Sequence, residues 1–178
     1  TRRVIFQSIA SPVITTTLYF VVFGAALGSR ITDLGGVSYM QFIVPGLIMM
    51  ALLINSFSAA AAGIYFPKFI GSLYEMLSAP LSYVEITIGY VFAAMSRAMM
   101  IGLIIFAVAH VFTPLPILHP WWALGFSLLV SLVFALFGFI VGLWANSFEQ
   151  FGLVPTFIIT PMSFLGGIFY SLDMLPPF

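Results

Sequence analysis

Residues 121–144 read WWALGFSLLVSLVFALFGFIVGLW, a run of apolar and small residues with no charged side chain and a tryptophan at each end. An α-helix of this length rises about 36 Å, which is enough to cross the roughly 30 Å hydrocarbon core of a bilayer. Tryptophan rings prefer the headgroup level at the two membrane surfaces. The stretch therefore predicts a transmembrane helix.

The composition of the whole chain supports this interpretation. Of the 178 residues, 62% are hydrophobic and 6% are charged, and the formal net charge is zero. A typical soluble domain carries about 25% charged residues, so a soluble fold is excluded. A neutral chain has no basic surface for nucleic acid, and without cysteine it forms neither disulfides nor thiolate metal sites. We therefore expect membrane lipids around the chain and no nucleic-acid partner.

Charged residues divide the chain into five apolar stretches, and only Arg97 lies inside one of them. Strand-like alternation of polar and apolar residues is absent, which disfavours a transmembrane barrel. The sequence thus predicts an all-α, polytopic membrane bundle that forms a single transmembrane domain over residues 1–178. Its five spans are Ile9–Leu27, Phe42–Ile64, Ile86–Phe112, Trp121–Trp144 and a fifth that begins near Phe151 and fades around Gly166 and Gly167.

The basic residues indicate the orientation of the chain. With a cytoplasmic N-terminus, Arg2, Arg3 and Lys68 lie on the cytoplasmic side and Arg30 lies on the other side. Cytoplasmic loops carry an excess of Lys and Arg, so this orientation is favoured. The connection Tyr65–Glu85 is then cytoplasmic.

Small residues recur at four-residue spacing in several spans. Gly24 and Gly28 form such a pair in the first span, and Gly138 and Gly142 form one in the fourth. Small side chains let membrane helices approach closely, which stabilises helix pairs in lipid. We expect these glycines to pack helices within one bundle, and the alternative is a dimer interface.

Arg97 lies inside the third predicted span. Placing a charge there costs upward of about 2.5 kcal/mol, so its side chain either faces a cavity or extends to the cytoplasmic headgroups. The first alternative makes Arg97 a candidate for a translocation path, together with the polar pair Asn55 and Ser56 in the second span. The sequence leaves both alternatives open.

The last part of the chain contains several residues that interrupt helices, among them Pro161 and the pair Gly166 and Gly167. Interrupted backbone at membrane depth is tolerated where protein or a water-filled cavity covers it. We expect residues 163–177 to form a short re-entrant or extracellular hairpin, with these three residues as its hinge. A simple helix end is the alternative.

The connection Tyr65–Glu85 reads YFPKFIGSLYEMLSAPLSYVE, in which apolar residues recur at helical spacing until Pro80 interrupts the helix. The apolar positions are Phe69, Leu73, Met76, Leu77 and Leu81, and the polar positions opposite them are Lys68, Ser72 and Glu75. Such an amphipathic helix either lies in the lipid interface or docks on a soluble partner.

Signals for catalysis are missing from the sequence. It contains no HExxH zinc motif and no GxxxxGK[ST] phosphate loop. None of the predicted spans contains an acidic residue for a proton relay. We therefore expect no catalytic residue, no metal site and no ATP hydrolysis by this chain.

Three stretches together resemble a known family. They are residues 12–30 (PVITTTLYFVVFGAALGSR), residues 39–50 (YMQFIVPGLIMM) and residues 153–177 (LVPTFIITPMSFLGGIFYSLDMLPP). Their order is similar to that in the permease subunits of ABC-2 type exporters, in particular the bacterial inner-membrane transport permeases. The segment EMLSAP at residues 75–80 resembles the Glu-x-Leu-x-x-Pro segment of the family's cytoplasmic coupling region.

The resemblance implies a six-span protomer in the bacterial inner membrane that forms a homodimer with two cytoplasmic ATP-binding-cassette subunits. ATP and Mg²⁺ belong to those subunits, and no cofactor is expected in this chain. By analogy, Glu75, Leu77 and Pro80 are coupling residues, and we add Lys68 and Glu85, the other charged residues of the connection where a partner would act. The family's cytoplasmic helix before the first span and its sixth span are expected to lie outside these 178 residues, so the chain is expected to be truncated at both ends.

The function implied by the resemblance is export of a lipid, a saccharide or a hydrophobic drug-like molecule with ATP hydrolysed by the separate subunit. The alternative is a secondary transporter or channel that works without an ATPase. The lack of intramembrane carboxylates and of an internal repeat weighs against this alternative.

Overall fold

The computed structural model describes residues 2–26, 39–113, 118–166 and 168, and every regular element in these ranges is helical. The elements are α1 (Arg2–Ala26), α2 (Tyr39–Ile70), α3 (Ser72–Ser78), α4 (Tyr83–Phe112), α5 (Pro120–Trp144), α6 (Phe148–Val154), a π-helical turn (Pro155–Ile159) and α7 (Thr160–Leu165). The predicted all-α class is thus confirmed. Gly24 lies near the end of α1, whereas Gly28, Gly167 and most of the expected hairpin lie outside the described residues.

Three helices have the length and composition of membrane spans. Within the described residues these are Gln41–Ile70, Tyr83–Phe112 and Pro120–Trp144. The helix α1 carries a shorter apolar stretch, Ala10–Val22. The chain therefore has the character of a helical membrane bundle, and the count of five spans stays a prediction.

The helix α2 lies at the centre of the bundle, where it contacts α1, α4 and α5. One buried cluster joins Phe20 of α1 and both Ile101 and Ile105 of α4 to Val44 and Leu47 in the first half of α2. A second cluster continues the core along the later half of α2 and contains Ala60, Ile64, Val91, Ala94, Ala135 and Phe139. The core therefore surrounds α2 along most of its length.

The amphipathic segment after the second span differs from its prediction as one helix. The helix α2 continues to Ile70, so Lys68 and Phe69 belong to it. Gly71 then adopts a left-handed conformation with a φ of 82° and separates α2 from α3. Glycine has no Cβ atom to clash in this conformation, which is why it ends many helices. Pro80 follows the end of α3, as the sequence predicts.

The helix α6, the π-helical turn and α7 follow one another without a break. Thr160 donates both its backbone N–H and its hydroxyl hydrogen to the carbonyl oxygen of Pro155, and the first of these bonds has the i→i−5 pattern of a π-helix. Pro161, which has no N–H group to donate, is the second residue after this turn. The fifth predicted span is therefore helical from Phe148 to Leu165, with a local change of hydrogen-bond pattern between its prolines.

Candidate functional site

Parts of five helices meet at one end of the bundle, which we call the α3 end. They are the last turn of α2, the whole of α3, the first turn of α4, the last turn of α5 and the first turn of α6. The ring of Phe148 at the start of α6 packs against Tyr65 and Phe66 of α2, with ring centroids 6.0 and 5.7 Å apart. The predicted coupling residues all lie at this end.

The helix α3 lies on the bundle surface and is held there by one face. Leu73 packs against the buried cluster that contains Ile64 and Phe139. The hydroxyl of Tyr90 in α4 donates to the sulfur of Met76 over 3.8 Å. No residue within α3 is itself buried. The helix is thus fixed to α2, α4 and α5 while its other face is uncovered.

The uncovered face of α3 combines two large side chains, Tyr74 and Leu77, with two polar ones, Glu75 and Ser78. Tyr74 is 78% exposed and Leu77 is 58% exposed, and Glu75 is exposed beside them. The end of α2, the α3–α4 connection and the start of α4 add four exposed apolar side chains: Phe69, Ile70, Leu81 and Tyr83. We call these residues, together with the exposed Pro80, the α3 surface. Exposed apolar side chains grouped at one place are typical of contact with another protein or with a membrane.

Lys68, the only lysine in the sequence, makes its contacts within the chain. Its ammonium donates to the backbone oxygens of Leu143 at 2.6 Å and Ala145 at 2.8 Å, and to Oδ1 of Asn146 at 3.5 Å. The three ammonium donors thus meet three acceptors at the C-terminus of α5, where the helix dipole favours a cation. Lys68 therefore joins α2 to the α5–α6 connection.

Glu85 also has a partner within the chain. Its carboxylate accepts the backbone N–H of Ser82 at 2.9 Å, and the hydroxyl oxygen of Ser82 accepts the N–H of Val84 at 3.3 Å. This arrangement is a capping box, which stabilises the N-terminus of α4. The Glu85 carboxylate thus caps the N-terminus of its own helix, α4, whereas Glu75 is exposed on the α3 surface.

Gly138 and Gly142 bring the backbone of α5 against that of α2. A Cβ atom at Gly142 would lie 2.5 Å from the carbonyl oxygen of Ala61 and 2.6 Å from Cγ2 of Ile64. A Cβ atom at Gly138 would collide with the carbonyl oxygen of Phe57. Because both contacts lie within one chain, these glycines pack helices inside the protomer.

The three candidates for a translocation path differ in their surroundings. Ser56 is buried, and its hydroxyl donates to the carbonyl oxygen of Leu52. The half-buried side chain of Asn55 donates to the carbonyl oxygen of Ala51 at 2.7 Å. Arg97 lies on the exposed face of α4 and has no hydrogen bond or ion pair to any residue that the structure describes. The two α2 side chains thus form hydrogen bonds within their own helix, whereas the Arg97 guanidinium forms none with the described residues.

The level of Arg97 along the bundle follows from a contact between α4 and α5 close to it. The hydroxyl of Ser131 donates to the sulfur of Met99 over 3.7 Å. Ser131 lies near the middle of α5, between Trp122 and Trp144, and tryptophan marks the two membrane surfaces. The backbone of Arg97 therefore lies within about one helical turn of the level halfway between these two tryptophans. Charged residues at this depth are costly and are usually functional.

An apolar groove of about 480 Å³ lies between α2, α5 and the π-helical turn. Its lining includes Met49, Leu53, Phe137, Ile158, Met162 and Ser163. Of the expected hinge residues, Pro161 lies in α7 and Gly166 lines the groove at the end of α7. The groove was not predicted from the sequence. The one feature of the sequence that points to it is the pair Pro155 and Pro161, which accompanies the π-helical turn.

The described residues offer no metal centre. No group of three or more His, Cys, Asp or Glu side chains comes together among them. His110 stacks on the ring of Phe106 within α4, with ring centroids 6.2 Å apart. The α3 end presents exposed apolar side chains beside the polar residues Glu75 and Ser78.

Comparisons with known proteins place these features in a family. The model of the family described as ABC-2 type transporter matches residues 2–178. The inner membrane transport permease YadH of Escherichia coli strain K12 is 43% identical over 177 residues, which cover 99% of this chain and 69% of that protein. Nodulation protein J of Rhizobium leguminosarum bv. viciae is 31% identical over 173 residues, which cover 97% of this chain and 65% of that protein. No solved structure matches the chain significantly.

Proposed function

The chain belongs to the ABC-2 type transporter family, and from this premise we propose that it couples transport to ATP hydrolysis by a separate subunit. The permease lies in the bacterial inner membrane as a multi-pass protein with its N-terminus in the cytoplasm. Two copies form a homodimer, and each copy contacts a cytoplasmic ATP-binding-cassette subunit that holds ATP and Mg²⁺. The permease itself catalyses no reaction.

The α3 surface is the observation that carries this proposal. It presents Tyr74 and Leu77 beside the Glu75 carboxylate on a short helix, which suits a partner groove with an apolar floor and a basic rim. Leu73 and Met76 fix the opposite face of α3 to the bundle. A force on α3 is therefore passed directly to α2, α4 and α5.

The proposed orientation is supported by the position of the α3 end. With a cytoplasmic N-terminus, α2 and α5 both run toward the cytoplasm, so Lys68 and α3 are on the side where basic residues are favoured. The ATPase subunit and α3 then face the same compartment. An outward-facing N-terminus would separate them by the thickness of the bilayer.

The proposed mechanism begins at α3. Closure of the ATPase pair on ATP pushes the α3 surface, and α3 moves the ends of α2 and α4 that hold it. Packed helix interfaces have discrete arrangements, so such a push shifts whole helices. The shift opens a path between the two protomers, and hydrolysis resets it. Glu75, Leu77 and Pro80 act as coupling residues in this scheme.

A lipid, a saccharide or a hydrophobic drug-like molecule is the proposed substrate, and export is the proposed direction. The apolar groove beside the π-helical turn suits an apolar part of such a molecule. Arg97 near the bilayer midplane suits a polar or anionic part, because its guanidinium has five donors and no described partner. Asn55 and Ser56 are the other path candidates.

The experiment that tests the proposal is co-expression of the permease with an ATP-binding-cassette subunit from the same organism. The two proteins are purified together and reconstituted in vesicles of Escherichia coli lipid. We expect ATP hydrolysis to respond to added lipid-linked saccharides or hydrophobic drugs only when both subunits are present. A variant ATPase subunit without its P-loop lysine is the control. Hydrolysis that is unaffected by the permease contradicts the proposal.

A further inference from the structure

We propose that the Lys68 ammonium is a positioning group that makes the last turn of α2 and the α5–α6 connection move as one body. The proposal rests on the proposed function for its role in transport, but not for the mechanical link itself. Lys68 is three residues from Gly71, which begins the turn into α3. One acceptor, Leu143, is in the last turn of α5, and the other two, Ala145 and Asn146, are in the connection that leads into α6 and the π-helical turn.

The three acceptors form a site built for a cation. Two of them are backbone oxygens at the end of α5, from Leu143 and Ala145, and the third is Oδ1 of Asn146. The last carbonyl groups of a helix have no partner within the helix and carry its negative dipole end. Because Lys68 supplies a charge and three donors at this point, its hydrogen bonds are of the stronger, charge-assisted kind.

The α2–α5 contact leads directly to this site. Phe57 meets Gly138 and Ala61 meets Gly142, so the two helices run side by side toward the α3 end. Lys68 lies seven residues beyond Ala61, two turns of helix farther along the same direction. The close packing of α2 against the two α5 glycines is therefore followed, at the α3 end, by the hydrogen bonds of the Lys68 ammonium.

Other contacts also help to fix the α5–α6 connection, in which Ala145 is buried. The backbone N–H of Asn146 donates to Oε1 of Gln150 at 2.8 Å, which orders the connection locally. Phe148 links α6 to the last turns of α2 through its ring contacts with Tyr65 and Phe66, and Val154 packs farther along α2 against the cluster of Phe57 and Ala61. The Lys68 ammonium therefore adds charge-assisted hydrogen bonds to the packing contacts that hold this region against α2.

This geometry assigns Lys68 a role different from that of Glu75. Glu75 is exposed and available to a partner, whereas the Lys68 ammonium is occupied by the chain's own oxygens. A displacement of α3 reaches α6 and the π-helical turn through Lys68. Lys68 thus acts after partner binding, by passing motion to the helix that borders the apolar groove.

The first test is amide hydrogen exchange of the permease in lipid nanodiscs. In K68M, which keeps an unbranched side chain without donors, we expect exchange at residues 145–150 to become about tenfold faster, as for the loss of hydrogen bonds to a charged group. K68R keeps the charge and donors and is expected to exchange as the unaltered protein does. Unchanged exchange in K68M overturns the proposal. If K68M does not fold, K68Q, which keeps two neutral donors, is used instead.

The second test measures coupling with the ATPase subunit bound. The chain has no cysteine, so S78C on α3 and F157C in the π-helical turn place two spin labels without background. ATP with vanadate is expected to shift the distance between the labels in the unaltered and K68R proteins and not in K68M, although K68M still binds the ATPase subunit. An equal shift in K68M overturns the role in coupling. If no ATPase subunit binds the unaltered protein, the proposed function fails, and hydrogen exchange alone decides the mechanical link.

Discussion

Gly138 of α5 lies so close to Phe57 of α2 that a Cβ atom at the glycine would collide with the phenylalanine's carbonyl oxygen. One turn farther on, Gly142 meets Ala61 in the same way. Lipid removes the hydrophobic drive that pairs helices in water, so close backbone packing has to hold these two helices together. The α2–α5 seam is therefore the part of the bundle that is most sensitive to a single added methyl group.

We expect G138A to destabilise the bundle by about 1–3 kcal/mol, because the added methyl group forces α5 away from α2. G125A is the matched control, since Gly125 is on the same helix and a Cβ atom there would meet no other atom within 4 Å. Alanine is favoured over glycine in a helix by up to about 1 kcal/mol, so G125A should be neutral or stabilising. Unfolding in mixed micelles measures both. Equal stability of the two variants would contradict the close contact.

We expect E75K to reduce the stimulation of ATP hydrolysis by the permease about tenfold, in the range typical of coupling between two sites. The physical reason is that the reversed charge repels the basic rim proposed for the partner. E149K is the control, because Glu149 is exposed in the first turn of α6 at the same end of the bundle. The assay compares hydrolysis by the two reconstituted complexes. Retained stimulation in E75K removes Glu75 from the coupling residues.

We expect L73A and L77A to have different effects, because Leu73 holds α3 on the bundle and Leu77 is available to the ATPase subunit. Leu73 is half-buried against the core cluster, so L73A should lower the free energy of unfolding by about 2 kcal/mol. Leu77 is exposed, so L77A should leave stability within about 0.5 kcal/mol and weaken binding of the ATPase subunit. Stability comes from unfolding in micelles and binding from titration in nanodiscs. A destabilised L77A with normal binding would assign that side chain to the fold.

We expect R97L to raise stability and lower transport. Replacing a charged side chain near the bilayer midplane by leucine should stabilise the chain by about 2.5 kcal/mol or more, whereas loss of the guanidinium removes the proposed contact with a polar substrate. S96L is the control, because Ser96 is the exposed neighbour on α4. Substrate uptake into inverted vesicles is the measurement. Normal transport by R97L ends the assignment of Arg97 to the path.

We expect S82A to cost about 1 kcal/mol of stability through loss of the α4 cap, with little effect on coupling. E85A should behave similarly, because its carboxylate accepts the Ser82 N–H on the other side of the same capping box. Thermal unfolding and ATPase stimulation are compared for both variants. A coupling defect in E85A at normal stability would return Glu85 to the coupling surface.

The residues of the α3 end show how far the sequence could be interpreted. The amphipathic pattern predicted a short helix and its end at Pro80, and both are present. It did not predict the break at Gly71, because periodicity registers side-chain polarity and not the sign of φ. The partners of Lys68 lie 75 to 78 residues away in the chain, and no local pattern could indicate them.

The sequence by itself determined that this is a helical membrane protein and where its long helices lie, because hydrophobic length and helical hydrogen bonding are local properties of each stretch. The family also follows from the sequence alone. Only the tertiary structure decided which small residues meet a neighbouring backbone, which charges are occupied within the chain and which face of α3 is uncovered. Those outcomes depend on contacts between stretches far apart in sequence, which pack in lipid according to the shape of the facing helices.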